Sequence, residues 1–205
     1  MVPGLRKYSC DVSLDPNSAH RLLLLSEDHR TVTQMKEEQE YPDHEDRFTD
    51  WRQVLSCTGL RGRCFWEVKW SGRVEIAVSY GGIGRRGREL DNVFGFNDQS
   101  WCLWIYDGGE YRVYHNSNTT RLHRFCHSER GGEFSGRVAL FLDSEAGALS
   151  FYEVSSVGEL FHLWTFSSSF SEPLFPGFAL NEEGSSVTLV KETRLNRRET
   201  GLVPR

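Results

Sequence analysis

The most informative part of the chain is the run Ser100-Trp101-Cys102-Leu103-Trp104-Ile105-Tyr106, which Asp107-Gly108-Gly109 follows directly. Because successive side chains of a β-strand point to opposite faces, this run has two distinct faces. One face carries Trp101, Leu103 and Ile105, and the other carries Cys102, Trp104 and Tyr106. The Asp-Gly-Gly sequence supplies the positive φ values of a tight turn, and Tyr111–His115 then alternates as a returning strand. The run is therefore predicted to be one strand of a β-hairpin.

Both faces of this predicted strand are apolar or aromatic. A strand with one solvated face normally alternates apolar and polar residues. Either both faces are covered by other parts of the protein, or one face presents Trp104 and Tyr106 to a partner. Since aromatic side chains with a polar atom carry much of the energy of protein–protein contacts, the second explanation indicates binding. The pattern leaves both explanations open.

Period-two runs continue along the chain, at Cys64–Trp70, Val74–Tyr80, Val138–Asp143, Leu149–Val154, Phe161–Phe166 and Ser186–Val190. No interior stretch keeps an amphipathic 3.6-residue period over three turns. Many short strands without alternating helices predict an all-β fold, an antiparallel β-sandwich of two sheets with little helix. Its core is expected to include Trp66, Val68, Ile76, Val78, Leu140, Leu142 and Phe151.

The composition suits one well-buried domain of 205 residues with 38% hydrophobic residues. The longest aliphatic run, Leu22–Leu25, is far shorter than the roughly 20 residues that span a bilayer, so this domain is expected to make no membrane contact. The first residues also lack the basic and apolar regions of a secretory signal. A net charge of -5 argues against a nucleic-acid partner, because nucleic-acid-binding domains are usually basic.

The five cysteines are Cys10, Cys57, Cys64, Cys102 and Cys126, an odd number without any CxxC pair. A disulfide framework or a zinc site would show paired spacing. We therefore expect five free thiols, no bound metal and a cytoplasmic protein.

The segment Gly82-Ile83-Gly84-Arg85-Arg86-Gly87 matches the GxGxxG pattern of dinucleotide sites. Such a site also requires the loop to open a helix within a βαβ unit, so that the helix N-terminus meets the pyrophosphate. The following residues, Arg88–Asn97, lack helical periodicity, and no nucleotide cofactor is expected. The loop is instead predicted to display Arg85, Arg86 and Arg88, either as a solvated surface or as a contact for an acidic partner.

The residues that could carry catalysis do not form a set in the sequence. Cys126 and His127 are adjacent, so in a strand they would point to opposite faces and could not act as a nucleophile–base pair. His123 and His127 have no second pair at zinc-ligand spacing. The serines at 167–169 lack a Gly-x-Ser-x-Gly turn. We expect no enzymatic activity and no cofactor.

An ordered set of short motifs resembles the PRY-SPRY family from about Tyr8 to Val190. The motifs are Leu14–Ala19, Leu25–Asp28, Pro42-Asp43 and Asp46–Phe48, followed by Gly62–Val68, Ser100-Trp101, Tyr114–Asn116, Phe141–Asp143, Gly147–Tyr152 and Glu172–Phe178. The resemblance implies one domain at 1–198, with a PRY part at about 8–56 and a SPRY part at about 57–190. The end of the chain, Glu199–Arg205, is similar to the remnant of a thrombin cleavage tag and is left out of the domain.

The resemblance also implies where a partner binds. Family members form a bent two-sheet sandwich whose variable loops at one edge bind proteins. In a member that binds antibody Fc, aromatic residues on the strand matching Ser100–Tyr106 line a pocket, and these positions are Trp104 and Tyr106 here. The family's acidic pocket position falls on Gly81, so Fc-like recognition is not expected. The expected partner-binding residues are Trp104, Tyr106, Tyr80, Tyr114, Arg85, Arg86 and Arg88, with the loop 81–97 and the polar loop Lys36–Asp46 as walls.

The segments Ile76–Tyr80 and Gly84–Arg88 are most similar to the fish-expanded branch of the family. This branch includes tripartite-motif proteins, NLR-type receptors and stonefish-type cytolysins. The resemblance favours a non-catalytic protein-recognition module, namely the C-terminal substrate-binding domain of a tripartite-motif ubiquitin ligase in innate immunity. The alternatives are the ligand sensor of an NLR-type receptor and a domain of a pore-forming cytolysin subunit. Any oligomerisation of the parent protein is expected through its other domains.

Overall fold

The computed structural model describes residues 4–125 and 134–191. Within them lie thirteen strands: β1 (Leu23–Leu25), β2 (Thr31–Gln34), β3 (Gln53–Leu55), β4 (Arg63–Ser71), β5 (Val74–Tyr80), β6 (Ser100–Ile105), β7 (Tyr111–His115), β8 (Asn118–Leu122), β9 (Ser135–Asp143), β10 (Ala148–Val154), β11 (Leu160–Ser167), β12 (Leu174–Leu180) and β13 (Ser186–Leu189). The described residues contain no α-helix, and their only helical pieces are single 3-10 turns.

The strands form two antiparallel sheets. The seven-stranded sheet has the order β1-β2-β13-β4-β9-β10-β11, and the six-stranded sheet has the order β3-β12-β5-β6-β7-β8. Chain neighbours β4–β5 and β12–β13 lie in different sheets, so the chain crosses between the sheets at these points. The two-sheet all-β sandwich predicted from the period-two runs is confirmed.

The main core lies between the facing sides of the two sheets. All seven core residues expected from the sequence are buried there, from Trp66 on β4 to Phe151 on β10. Trp101, Leu103 and Ile105 of β6 also face this core and are at most 2% exposed. The alternation along β6 is therefore real, and Trp104 is not a residue of the space between the sheets.

The hairpin between β6 and β7 forms as the sequence predicts. Gly108 and Gly109 have φ values of 74° and 73°, in the left-handed region that favours glycine. Tyr106 N–H donates to the Glu110 carbonyl and closes the turn. The turn fixes the pairing of Trp104 with Arg112 and of Cys102 with Tyr114.

The strand β12 is one of five that the period-two runs did not reveal, together with β1, β2, β3 and β8. It lies between β3 and β5, although it contains Pro176, which lacks a backbone N–H and is unusual away from sheet edges. The sheet tolerates it because the Pro176 carbonyl still accepts a hydrogen bond from Ser56 N–H. Gly177 follows it and packs against Leu55 and Phe94, so close that a Cβ would lie within 3 Å of both.

The prediction of five free thiols is wrong. Cys10 and Cys64 form a disulfide with a Cα–Cα distance of 5.4 Å, while Cys57 and Cys102 are free. The two cysteines meet because Cys10 N–H donates to the Phe65 carbonyl, which places the N-terminal segment beside β4. Linear spacing missed the pair because its members lie 54 residues apart and meet only through this pairing. Cys126 lies outside the described residues, as does the segment 199–205.

The outer face of the seven-stranded sheet is partly covered by the N-terminal segment. Leu5 and Tyr8 pack against an apolar cluster that includes Phe65 and Tyr152. Arg6 forms an ion pair with Glu67 at 2.7 Å, which secures the segment beside the sheet. In the part of the chain that the structure describes, no helix is long and apolar enough to cross a membrane.

We expect thiol titration of the denatured, unreduced protein to find two fewer thiols than titration after reduction. Replacing Cys10 and Cys64 together by alanine should remove this difference. It should also lower the free energy of unfolding by about 4 kcal/mol, since the bridge closes a long loop of the unfolded chain. The count of thiols before reduction checks the bridge, and five at that stage would contradict it.

Candidate functional site

One row of side chains crosses the outer face of the six-stranded sheet. Directly paired residues of neighbouring strands point to the same face and are in contact distance. The pairing places Gln53 of β3, Ala179 of β12, Glu75 of β5, Trp104 of β6 and Arg112 of β7 side by side in this order. A small residue, Ala179, is therefore second in the row, between the longer side chains of Gln53 and Glu75.

Aromatic rings cluster around Trp104. Its ring centroid lies 4.7 Å from that of Tyr114, 5.5 Å from that of Phe96 and 5.7 Å from that of Tyr106. Phe96 stacks on Tyr114 at 5.3 Å, so the loop before β6 contributes to the same cluster. Trp104 and Tyr106 are partly exposed, whereas Tyr114 is buried. We call Phe96, Trp104, Tyr106 and Tyr114 the aromatic cluster.

The two tyrosine hydroxyls of the aromatic cluster form a hydrogen bond with each other. Tyr106 Oη and Tyr114 Oη lie 2.7 Å apart. Burial, and then this hydrogen bond, raise the pKa of the Tyr106 hydroxyl, so it stays neutral at physiological pH. The guanidiniums of Arg73 and Arg112 lie 5.5 Å and 5.8 Å from the Tyr106 ring, within the range of a cation–π contact. The cluster is therefore rigid and has positive charge on its border.

A cavity of about 240 Å³ opens beside the aromatic cluster. It exists because Ala179 fills little of the space between Gln53 and Glu75 in the row. The cavity is lined by Trp51, Arg52, Gln53, Arg73, Glu75, Val93, Trp104, Ala179 and Asn181. We call it the Ala179 cavity.

Glu75 is the buried acid of the Ala179 cavity. Its residue is 4% exposed, and its Oε1 accepts a hydrogen bond of 2.5 Å from Asn181 Nδ2. Burial disfavours the charged form and raises the pKa of this carboxyl to about 8, against the opposing effects of Asn181 and Arg73. Glu75 is therefore mostly protonated at neutral pH.

The neighbouring part of the outer face is closed. Phe48, Ile83 and Phe94 cover Ala77 and Cys102 and form a second buried cluster. Gln53 of β3 fixes the backbone around Phe94 in place. Its Nε2 donates a hydrogen bond to the Asn92 carbonyl, and its Oε1 accepts one from Phe94 N–H. The outer face of β6 is thus covered at Cys102, as the first explanation requires, and partly open at Trp104.

Arg85 does not lie on the surface in the way the sequence predicted. Its guanidinium donates to the backbone carbonyls of Asp46, Ile83 and Gly81, at 2.9 to 3.1 Å, and lies 4.8 Å from the Phe48 ring centre. Three backbone carbonyls thus occupy three of the five N–H donors of this guanidinium, one on each nitrogen. The prediction that Arg85 is displayed is wrong, because the loop folds back onto its own side chain.

The other predicted residues divide between two places. Arg86 and Arg88 are exposed, and Arg88 lies 3.6 Å from Asp50. Tyr80 is on the opposite face of the sheet from Trp104, since it packs edge-on against Trp101 of the main core at 5.3 Å. Only Trp104, Tyr106 and Tyr114 of the predicted set come together in the aromatic cluster.

The loops meet the Ala179 cavity differently from the expectation. Val93 of the loop 81–97 lines the cavity, as expected for that loop. No residue of Lys36–Asp46 lines it, and Trp51, Arg52 and Gln53 form that wall instead. Glu75 was also missed, although the sequence carried a signal: it is the one charged residue within the apolar strand β5.

The arrangement offers binding groups rather than reacting groups. Cys102 is buried, and this burial raises the pKa of its thiol, so it is a poor nucleophile. Among residues 4–125 and 134–191, no group of three or more potential metal ligands lies together. What the site presents is a rigid aromatic surface, two arginines and a protonated carboxyl around a small cavity.

Comparison with known proteins identifies the family. The SPRY-associated PRY domain model matches residues 12–60, and the SPRY domain model matches residues 63–193. The chain is 36% identical to the stonustoxin beta subunit of Synanceia horrida over 89% of its length, and 33% identical to the E3 ubiquitin-protein ligase TRIM58 of Mus musculus over 86%. It superposes on the TRIM65 PSpry domain with a TM-score of 0.78 at 28% identity, covering 92% of this chain and 93% of that one.

The chain belongs to the PRY-SPRY family, whose SPRY domains are non-catalytic binding modules. It spans 25% of the stonustoxin subunit and 35% of TRIM58.

We expect the variant Glu75→Gln to change how stability depends on pH. The folded pKa of about 8 lies above the usual 4.5, so the folded state holds a proton that the unfolded state releases in between. The free energy of unfolding of the wild type should fall by up to about 1.4 kcal/mol per pH unit from this group as pH rises from 5 to 8. Denaturant unfolding at several pH values checks this. A slope in Glu75→Gln equal to that of the wild type would contradict it.

We expect Arg85→Ala to lower the free energy of unfolding by about 1–3 kcal/mol, because three backbone carbonyls, two of them partly buried, lose their donor. Its matched control is Arg86→Ala in the same loop, which should change stability by less than about 0.5 kcal/mol since that side chain is exposed. Thermal and urea unfolding of both variants gives the comparison. Equal stability of the two variants would show that Arg85 has no such structural role.

Proposed function

We propose that this PRY-SPRY domain recognises a protein partner through the aromatic cluster and the Ala179 cavity. The observation that carries the proposal is the partly exposed Trp104, held by Phe96 and Tyr114 at the centre of the outer row. A rigid aromatic side chain loses little conformational entropy on binding, which makes it an effective anchor. Tyr106 lies beside the anchor, and the exposed Arg86 and Arg88 are candidates for contacts at a greater distance.

In its parent protein, we propose that the domain selects the substrate of a tripartite-motif ubiquitin ligase in innate immunity, and that it works in the cytoplasm. The similarity to TRIM58, an E3 ubiquitin-protein ligase, supports this role. The domain would hold the substrate, and the catalytic transfer would belong to a RING domain elsewhere in the parent. The coding sequence upstream of this domain tests the role, because a RING has recognisable cysteine and histidine spacing.

A cytolysin subunit is the second candidate, and two observations favour it. The chain is 36% identical to the stonustoxin beta subunit. It also contains the Cys10–Cys64 disulfide, a bond that is typical of oxidising compartments. An upstream region without RING spacing, together with an oxidised Cys10–Cys64 pair in protein isolated from its natural source, would favour the cytolysin over the ligase.

We expect Trp104→Ala to weaken partner binding by at least ~2 kcal/mol, or about 30-fold in Kd, because the anchor is lost. The measurement is calorimetric titration with a partner that is first captured by the wild-type domain and then purified. The matched control is Trp164→Ala on β11, which removes a half-buried indole from the other sheet. Thermal unfolding must show that both variants are folded.

The two variants separate binding from general damage to the domain. Trp164→Ala should keep the wild-type Kd even where it lowers stability. Wild-type affinity in a folded Trp104→Ala variant would refute the proposed binding face.

A further inference from the structure

The Ala179 cavity has the size of one side chain. Its volume of about 240 Å³ is below the 300 to 1,000 Å³ of usual small-molecule pockets. Its floor is Ala179, and its sides are the longer residues Gln53 and Glu75 of the same row. The cavity also adjoins Trp104, so a partner anchored on the aromatic cluster can place one of its side chains here.

Two arginines make the Ala179 cavity electropositive. Arg52 and Arg73 both line it, and neither forms an ion pair with any residue of 4–125 or 134–191. Arg112, farther along the row, is different because it is held by Glu110 at 2.6 Å. Arg73 lies over the Tyr106 ring, which orients it without neutralising its charge. Two positive charges therefore remain available at the cavity.

The carboxyl in the cavity adds a donor and not a negative charge. Oε1 of Glu75 accepts the hydrogen bond from Asn181, so the proton of the neutral carboxyl belongs on Oε2. This buried Oε2 has no hydrogen-bond partner in the described residues, and neither has Trp51 Nε1 on the opposite wall. A buried polar group without a partner is costly, so a ligand that accepts hydrogen bonds would remove an existing penalty.

We propose that the Ala179 cavity binds the carboxylate of an aspartate or glutamate side chain of the protein partner. This inference rests on the proposed function, which supplies the partner. Arg52 and Arg73 provide the positive charge. A carboxylate can accept two parallel hydrogen bonds from one guanidinium, and this bidentate geometry strengthens the contact. Glu75 Oε2–H and Trp51 Nε1–H supply neutral donors. A lysine or arginine of the partner would instead meet two like charges and no anion.

The first test uses small molecules that mimic the partner's side chain and follows the NMR signals of the domain. N-acetyl-aspartate amide is titrated into the wild-type domain at pH 7, and the signals of Trp51 Nε1–H and Arg73 Nε–H are followed. We expect both signals to shift with a Kd on the order of 10 mM, as suits one side chain without the rest of the partner. N-acetyl-asparagine amide, which has the same shape without the charge, should shift them at least tenfold less.

Variants of the domain locate the site at which the probe binds, and one of them is a matched control. Ala179→Leu fills the cavity and should abolish the shift of Arg73 Nε–H, while Val157→Ala, at an exposed position of the turn between β10 and β11, should leave it unchanged. Arg73→Gln, which keeps the length and loses the charge, should weaken probe binding at least tenfold. Thermal unfolding confirms that each variant is folded, and Arg73→Gln remains informative if the bulkier leucine is not tolerated.

The pH profile gives a second readout. The charged and titratable groups that face Glu75 are Arg73 from the turn before β5, Arg52 beside β3, and Cys102 and Tyr106 from the side of β6. Deprotonation of Glu75 would place a negative charge beside the probe, so binding should weaken severalfold from pH 7 to 9. In Glu75→Gln this weakening should be absent, since the amide keeps a donor at both pH values.

Several results would overturn the inference. They are equal shifts by the aspartate and asparagine probes, stronger shifts by N-acetyl-lysine amide, no shift at about 50 mM probe, or tighter binding of phosphoserine than of aspartate. Partner affinity distinguishes a failure here from a failure of the proposed function. If Trp104→Ala loses the partner and Ala179→Leu keeps it, the face binds a protein but the cavity takes no carboxylate.

Discussion

The pairing register of β5 with β12 on one side and β6 on the other is the constraint on which the site depends. It sets Ala179, Glu75 and Trp104 side by side on the outer face, while Phe178, Ile76 and Leu103 meet in the core. A slip of one residue would exchange these two sets and bury Glu75 between the sheets. The main core prevents the slip, because it would expose an entire row of aliphatic side chains to water. The geometry of the site is therefore a consequence of the packing on the other side of the same strands.

The outer face carries groups that are suited to binding but lower the stability of the folded domain. Glu75 lies in a strand whose other residues are apolar or small. Burial keeps its carboxyl neutral, and this lowers the free energy of unfolding above pH 5. Ala179 leaves a cavity where a larger residue would pack. Two unpaired arginines border the same cavity. Each feature is unfavourable for folding alone, and together they suit a surface that is completed by a partner.

The fold places this chain among binding modules of very different parent proteins. A stonefish toxin subunit and a mouse ubiquitin ligase both contain a domain similar to it over most of its length. The sandwich is thus a scaffold, and in our proposal the residues of one face select the partner. In this chain Gly81, which follows β5, carries no acid, and the carboxyl that lines the Ala179 cavity is that of Glu75 at the other end of the strand.

Alternation in the sequence was sufficient for eight of the thirteen strands, the sandwich and the two faces of β6, because period two is a local property of an extended chain. It also identified Trp104 and Tyr106, whose outward direction follows from their parity with Cys102. The disulfide, the inward turn of Arg85 and the separation of Tyr80 from the cluster depend on residues distant in the chain. The Ala179 cavity has the same origin, since it arises from four strands that meet only in the folded sheet. Beyond hairpins such as β6–β7, local pattern carries no information about which strands become neighbours, and only the packed sheets bring these groups together.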